Sequence, residues 1–194
     1  ILTGRKPLSA AGEQQLERLR VAGADVLYVV ADVARDEDVK RLLEQTHERF
    51  GNLDGIIHSA GVLRDSFLRK KTPQEMAAVL APKVSGTFLL DEYTRDDNLD
   101  FFVTFSSLAA TGGNLGQCDY AYANAYMDAF VARRERLRDA GKRSGKSLSL
   151  NWSIWADGGM TLDEKTQTLF KKQLGIKPLG TEFGLSALIN GLSL

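Results

Sequence analysis

Five short apolar runs alternate with longer stretches of helical period, and this alternation restricts the folds open to the chain more than any other property. The runs are Ile1 to Thr3, Asp25 to Ala31 (DVLYVVA), Gly55 to His58 (GIIH), Phe101 to Phe105 (FFVTF) and Leu148 to Trp152 (LSLNW). Between them, Ser9 to Gly23 places Leu16, Leu19 and Ala22 on one helical face, and Asp36 is expected to cap a helix in which Val39, Leu42, Leu43, Thr46 and Phe50 recur at helical spacing. Helices are also predicted from about Pro73 to Arg95, from about Asp119 to Ala140 and over Gly184 to Leu194. Strand, helix, strand in repeated order with short links predicts an α/β fold, a doubly wound parallel sheet with right-handed crossovers.

The bulk numbers exclude several classes. A chain of 194 residues with 43% hydrophobic and 26% charged residues suits one globular domain with a sizeable core. Lysine plus arginine equals aspartate plus glutamate at 25 each, so no net basic field draws the chain to nucleic acid or to an anionic membrane. No apolar run approaches the ~20 residues that span a bilayer, and no leader is evident, which makes the cytoplasm the expected location. Two histidines, His47 and His58, and one cysteine, Cys118, are scattered without metal-ligand spacing. Cys118 reads as a small packing residue and His47 as a surface residue.

The chemistry concentrates between Phe101 and Asp128, FFVTFSSLAATGGNLGQCDYAYANAYMD. A buried strand breaks at Ser106 and Ser107, a Gly-rich turn follows, and Tyr120 opens a helix that carries Asn124 one turn later on the same face. In open α/β sheets ligands bind beyond the carboxyl ends of the strands, where the serine pair falls. A serine, a tyrosine and an amide at that place could polarise a carbonyl and deliver a proton to it. A phenol has an ordinary pKa of about 10 and needs a nearby cation to exchange protons near neutrality. Lys83, in APKVSGTFLL, is the candidate.

This set resembles the active site of the short-chain dehydrogenase/reductase superfamily, with one departure. Most members have lysine four residues after the tyrosine, and here Asn124 stands there. Lysine upstream in an A-P-K-V-x-G segment, with asparagine after the tyrosine, is similar to the ketoreductase domains of polyketide synthases and animal fatty acid synthases. The offsets agree: twenty-four residues from Lys83 to Ser107, thirteen from Ser107 to Tyr120, four to Asn124. G-N-x-G-Q-x-D-Y and N-W-x-x-W-x-x-G-G-M look most like synthases supplied by a separate acyltransferase. The resemblance implies a Rossmann-like fold and NADPH as cofactor. It implies as substrate a β-ketoacyl chain on the phosphopantetheine of an acyl carrier protein, with other domains of the same synthase as partners. Ser107, Tyr120, Lys83 and Asn124 would be catalytic. The alternatives are a ketoreductase-like module that has lost reduction and serves structure or docking, and a fatty acid synthase ketoreductase.

The same resemblance assigns further residues, each with a plainer reading beside it. Arg5, after Gly4, would hold a 2′-phosphate, or is a solvated turn arginine. Asp32 and Val33 match a pair that touches adenine, although a turn aspartate would look the same. Ser59-Ala60-Gly61 matches an N-A-G-type turn beside the cofactor ribose, or is a simple tight turn. His58 falls in an H-x-A-G stretch and is read as a hydrogen-bonded structural histidine. Leu63-Arg64-Asp65 stands where domains giving D-configured alcohols have L-D-D, and Gly112 replaces the tryptophan of the opposite group, so Asp65 and Leu63 imply a D-hydroxy product. Tyr122, where proline marks epimerised substrates, implies an unsubstituted or non-epimerised chain. Trp155 and Met160 belong to a segment of about 156–180 that would be the lid over nicotinamide and substrate, unless the tryptophans are core. The superfamily's first strand and Gly-rich loop are missing, so residues 1–194 are expected to be the catalytic ketoreductase subdomain, truncated at its N-terminus.

Overall fold

A computed structural model describes residues 1–157, 172, 175 and 177–193. Among the described residues, five strands and six α-helices follow one another as β1 (Leu2–Gly4), α1 (Ala10–Val21), β2 (Tyr28–Val30), α2 (Asp36–Phe50), β3 (Gly55–His58), α3 (Pro73–Tyr93), β4 (Phe101–Ser107), α4 (Ala109–Gly112), α5 (Cys118–Asp139), β5 (Lys146–Trp152) and α6 (Thr181–Ser193). Every strand pair is parallel. β1 pairs with β2, and β3, β4 and β5 form a second sheet in that order. The parallel strands and flanking helices are those that the alternation predicts, but they form two sheets, of two and three strands, rather than one.

The element boundaries differ from expectation for local reasons. α2 has no side-chain cap: Arg35 is the N-cap residue and Asp36 is the first helical residue, where its carboxylate accepts from the Tyr93 hydroxyl instead. β4 does not stop before the serine pair but continues through it, because Ser106 and Ser107 remain in register with Asn151 and Trp152 of β5. The Gly-rich stretch is only partly a turn, since Ala109–Gly112 forms a short helix before Gly113 turns at φ 68°. Leu19, predicted to face inward, is 43% exposed, and Leu16 is the buried residue of α1.

Two helices set the geometry of the site. α3 starts at a capping box in which Thr72 Oγ1 accepts from the Glu75 N–H and Glu75 accepts from the Thr72 N–H, with Pro73 in the first helical position. Gly86 lets this helix approach the chain after β2, because a Cβ there would lie 3.0 Å from Val33 Cγ2. Below it, Val33, Val39, Leu43, Leu90, Leu99 and Phe102 form the largest buried cluster. α5 packs on α3, β4 and β5. Its far end is anchored by Arg134, which is buried with its guanidinium 4.7 Å from the Phe102 ring centroid. Arg134 donates to Asp91 Oδ1 of α3 (2.8 Å), to the carbonyls of Ser144 (2.9 Å) and Gly145 (3.1 Å), and to Ser147 Oγ (2.9 Å). No helix among the described residues is long and apolar enough to cross a membrane.

Candidate active site

Seven predicted site residues outside α3 and α5, with Trp155 after them, lie just beyond, or at, the C-terminal ends of the five parallel strands. Arg5 follows β1, Asp32 and Val33 follow β2, Ser59, Ala60 and Gly61 follow β3, Ser107 ends β4, and Trp155 lies three residues beyond β5. This is the edge at which α/β sheets bind ligands.

Lys83 reaches that edge from α3. It is 3% exposed, its Nζ donates to the carbonyl of Phe105 in β4 (2.9 Å), and the same atom stands 5.7 Å from the centroid of the Tyr120 ring. Burial pushes its pKa down from 10.5 to about 8, with the charge of Asp128 acting in the opposite sense. Asn124 is completely buried one turn along α5 from Tyr120; its Nδ2 donates to the Tyr120 carbonyl (2.7 Å) and its Oδ1 has no partner among the described residues. An amide oxygen left bare in the interior is costly unless something else fills its acceptor sites. The structure thus brings Lys83, Tyr120 and Asn124 together at the end of β4.

The serine pair divides its work. Ser106 is buried at 4% and donates to the Asn124 carbonyl (3.3 Å). Ser107 is half-buried, with its Oγ accepting from the Ala109 N–H (3.2 Å). Beneath them lies a group that the sequence reading did not single out. Asn151 Nδ2 donates to the Ser107 carbonyl (3.2 Å) and to Asp128 Oδ2 (2.8 Å), while Ser149 Oγ donates to Asp128 Oδ1 (2.5 Å). Asp128 is four residues after Asn124, so the helical period that linked Tyr120 to Asn124 continues to it.

The remaining residues are placed as follows. Asp32 forms a turn, its Oδ1 accepting from the Ala34 N–H (3.0 Å), while Val33 is buried in the core cluster. Ala60 packs against that cluster, and Ser59 and Arg5 are exposed. His58 is buried and donates from Nε2 to the Pro82 carbonyl (2.9 Å); burial, with the charge of Lys83 adding to it, pushes its pKa down to about 4. His47 is not a bare surface residue but is half-buried beside Asp97 (2.9 Å). Leu63 is half-buried, and Asp65 is exposed and accepts from Gln117 Nε2 (2.8 Å). The Trp155 ring meets that of Trp152 edge-on at 4.9 Å and packs against Gly184. Met160 and most of the 156–180 segment lie outside the described residues. No group of three or more metal-ligating side chains occurs among the described residues.

Comparison with known proteins shows the family and the fold. A family model described as "KR domain" matches residues 1–157. The chain is 44% identical over 192 residues to polyketide synthase PksN of Bacillus subtilis (strain 168), covering 99% of this chain and 4% of that protein. It is 46% identical over 191 residues to PksL of the same organism, covering 98% and 4%. The chain thus spans only about 4% of the length of these curated relatives. Among solved structures, a ketoreductase domain from the bacillaene assembly line superposes with a TM-score of 0.96 at 45% identity, covering 99% of this chain and 46% of the other. An N-terminal ketoreductase from the macrolactin assembly line gives 0.87 at 40% identity, covering 100% and 37%.

Proposed function

This chain belongs to the KR domain family, the ketoreductase domains of polyketide synthases, and from that premise we propose an NADPH-dependent reduction of the β-keto group of an acyl chain tethered to an acyl carrier protein. The product is a D-configured β-hydroxyacyl thioester. Residues 1–194 act as the catalytic part, with the segment of about 156–180 as its lid. The similarity to PksN, PksL and the bacillaene ketoreductase supports a synthase supplied by a separate acyltransferase.

The observation that carries this reading is a buried lysine from one helix facing a tyrosine ring at the carboxyl end of a central strand, 5.7 Å away. The residues present fit a nicotinamide cofactor. Among the described residues Asn124 Oδ1 is a buried acceptor without a partner, and Lys83 Nζ, with three protons, uses one acceptor. Lys83 would hold the nicotinamide ribose, Ser59 to Gly61 would let the backbone come near it, Asp32 and Val33 would meet the adenine, and Arg5 would take the 2′-phosphate. When bound, NADPH supplies the hydride.

The chain's own groups do the rest. Ser107 and Tyr120 hydrogen-bond the ketone oxygen, and Tyr120 gives its phenolic proton to that oxygen as negative charge develops on it. The ammonium of Lys83 stabilises the phenolate left behind, and Asn124 orients Lys83 or a water through which the proton is replaced. Asn151 and Asp128 hold the end of β4, and so Ser107, in place. Asp65 with Leu63 steers the phosphopantetheine arm, while Trp155 and Met160 belong to the lid side.

Product configuration is the test. A β-ketoacyl thioester on its carrier protein is reduced with NADPH and the alcohol resolved by chiral chromatography. The expected result is D-alcohol. Predominantly L-alcohol would mean that Arg64 has broken the meaning of the Leu63-Arg64-Asp65 segment, and no alcohol at all would favour a module without reductive activity.

A further inference from the structure

The loop that carries Leu63, Arg64 and Asp65 is stitched to the start of α5 by three contacts, one of them a buried ion pair. Lys71 Nζ donates to Asp119 Oδ2 (2.7 Å) and to the Arg64 carbonyl (2.5 Å). The two side chains are 0% and 2% exposed. The other Asp119 oxygen, Oδ1, accepts from the backbone N–H of Tyr120 (2.9 Å). Nearby, the Ser66 N–H donates to the Gly116 carbonyl (2.9 Å) and Gln117 Nε2 donates to Asp65 Oδ2 (2.8 Å). Asp119 therefore faces both ways, capping the amide of the tyrosine with one oxygen and gripping the substrate-side loop through Lys71 with the other.

We propose that Lys71 and Asp119 are positioning residues that lock the 63–66 segment to the first turn of α5, fixing Asp65 and Tyr120 relative to each other. The proposal rests on the ketoreductase reading for its effect on turnover, and on geometry alone for the lock. Of the three contacts, those of Ser66 and Gln117 are single neutral-donor hydrogen bonds at a partly exposed surface. The Lys71 contact is charge-assisted, out of water, and shared between two acceptors, which makes it the one that resists opening. Among the described residues, the rest of 63–70 make only local bonds, such as Arg64 to the Leu63 carbonyl and the Lys70 N–H to the Phe67 carbonyl. Without the pair, only the two weaker hydrogen bonds of Ser66 and Gln117 hold the loop against the helix. A tethered ketone would then meet Tyr120 in more than one pose, and misplacement on the ångström scale costs up to about 10²-fold in rate.

The test uses the full-length protein with Lys71→Met/Asp119→Asn. This double variant buries no unpaired charge and keeps an oxygen for the Tyr120 N–H, so it separates locking from folding. The unfolding midpoint and NADPH affinity should stay close to wild type. On a short β-ketoacyl N-acetylcysteamine thioester, kcat should fall about tenfold or more with little change in KM, and the ratio of D to L alcohol should fall about fivefold. Amide hydrogen exchange at Ser66 and over 116–120 should quicken about tenfold while β4 stays unchanged. A folded double variant with wild-type kcat, product ratio and exchange would overturn the proposal and leave the pair a packing feature. If the wild-type protein reduces nothing, the functional reading fails, and the exchange rates alone decide whether the lock exists. If the double variant does not fold, Lys71→Gln/Asp119→Asn, which keeps a neutral donor opposite a neutral acceptor, is measured in the same way.

Discussion

Replacing Lys83 with methionine should stabilise the protein at neutral pH while removing its chemistry. The ammonium is 3% exposed and burial holds its pKa at about 8, against an ordinary 10.5. At about 1.4 kcal/mol per pH unit, that gap is a penalty of roughly 3 kcal/mol for keeping the charge inside. The sign follows from proton counting. Between pH 8 and 10.5 the unfolded chain binds a proton that the folded chain has released, so wild-type stability rises with pH across that window. Below pH 8 the penalty is present in full, and above 10.5 it is gone. Methionine is unbranched and apolar, and fills the same channel. It cannot donate to the Phe105 carbonyl, 2.9 Å away in the wild type, and an unpaired buried acceptor costs about 1–2 kcal/mol. The net gain at pH 7 is therefore about 1–2 kcal/mol, or about 3–6 °C in Tm for a domain of this size. Urea titrations of both proteins from pH 7 to 10.5 should show the advantage shrinking as pH rises and reversing at the top of the range, where only the lost hydrogen bond counts. Turnover should fall about 10²-fold or more. A methionine variant less stable than wild type at pH 7, or a stability difference that ignores pH, would refute the reasoning.

Tyr120→Phe removes only a hydroxyl, so NADPH binding and the unfolding midpoint should survive while kcat drops by about 10² to 10⁴-fold; turnover within about threefold of wild type would exclude Tyr120 as the proton donor. His58 is held neutral with a pKa of about 4 against 6.5. Its contribution to stability is complete above pH 6.5 and is lost as pH falls through 4, amounting to roughly 3 kcal/mol. In His58→Gln, which keeps a donor for the Pro82 carbonyl, the stability curve should be flatter between those values, as read by denaturant midpoints. Arg5→Ala should raise KM for NADPH about tenfold and leave that for NADH nearly unchanged, because the guanidinium has work only where a 2′-phosphate is present; equal effects on both cofactors would remove that role.

The parts of this site that share one element were legible in the sequence, and those that meet across elements were not. Tyr120 and Asn124 fall on one face by the helical period, and Asp128 continues that face. The serine pair followed from where an apolar run meets polar residues, and the family's thirteen-residue offset to Tyr120 chose Ser107 from it; β4 extends through both serines because pairing with β5 outlasts the hydrophobic pattern. Lys83 could not be derived from periodicity. Its approach depends on Gly86 allowing α3 close to Val33, a contact between segments about fifty residues apart; the resemblance to a family supplied the lysine where local chemistry did not. Lys71 was missed because it ends an Arg-Lys-Lys run that reads as a solvated surface, and nothing local says that one of three cations turns inward to Asp119, forty-eight residues away. Asp36 misled for the opposite reason: it is a good capping residue by type, but Tyr93 occupies its carboxylate.

The anchoring of Arg134 has a consequence for how the chain can change length. From Tyr120 to Arg134 α5 is continuous, about 21 Å and nearly four turns. With Arg134 bound to Asp91, Ser144, Gly145 and Ser147, the far end of the helix cannot turn about its axis. Deleting or inserting one residue between the two would swing Tyr120 by about 100° around that axis, away from Lys83. Sequence drift should therefore leave the span from 120 to 134 at constant length, even where its exposed positions vary freely.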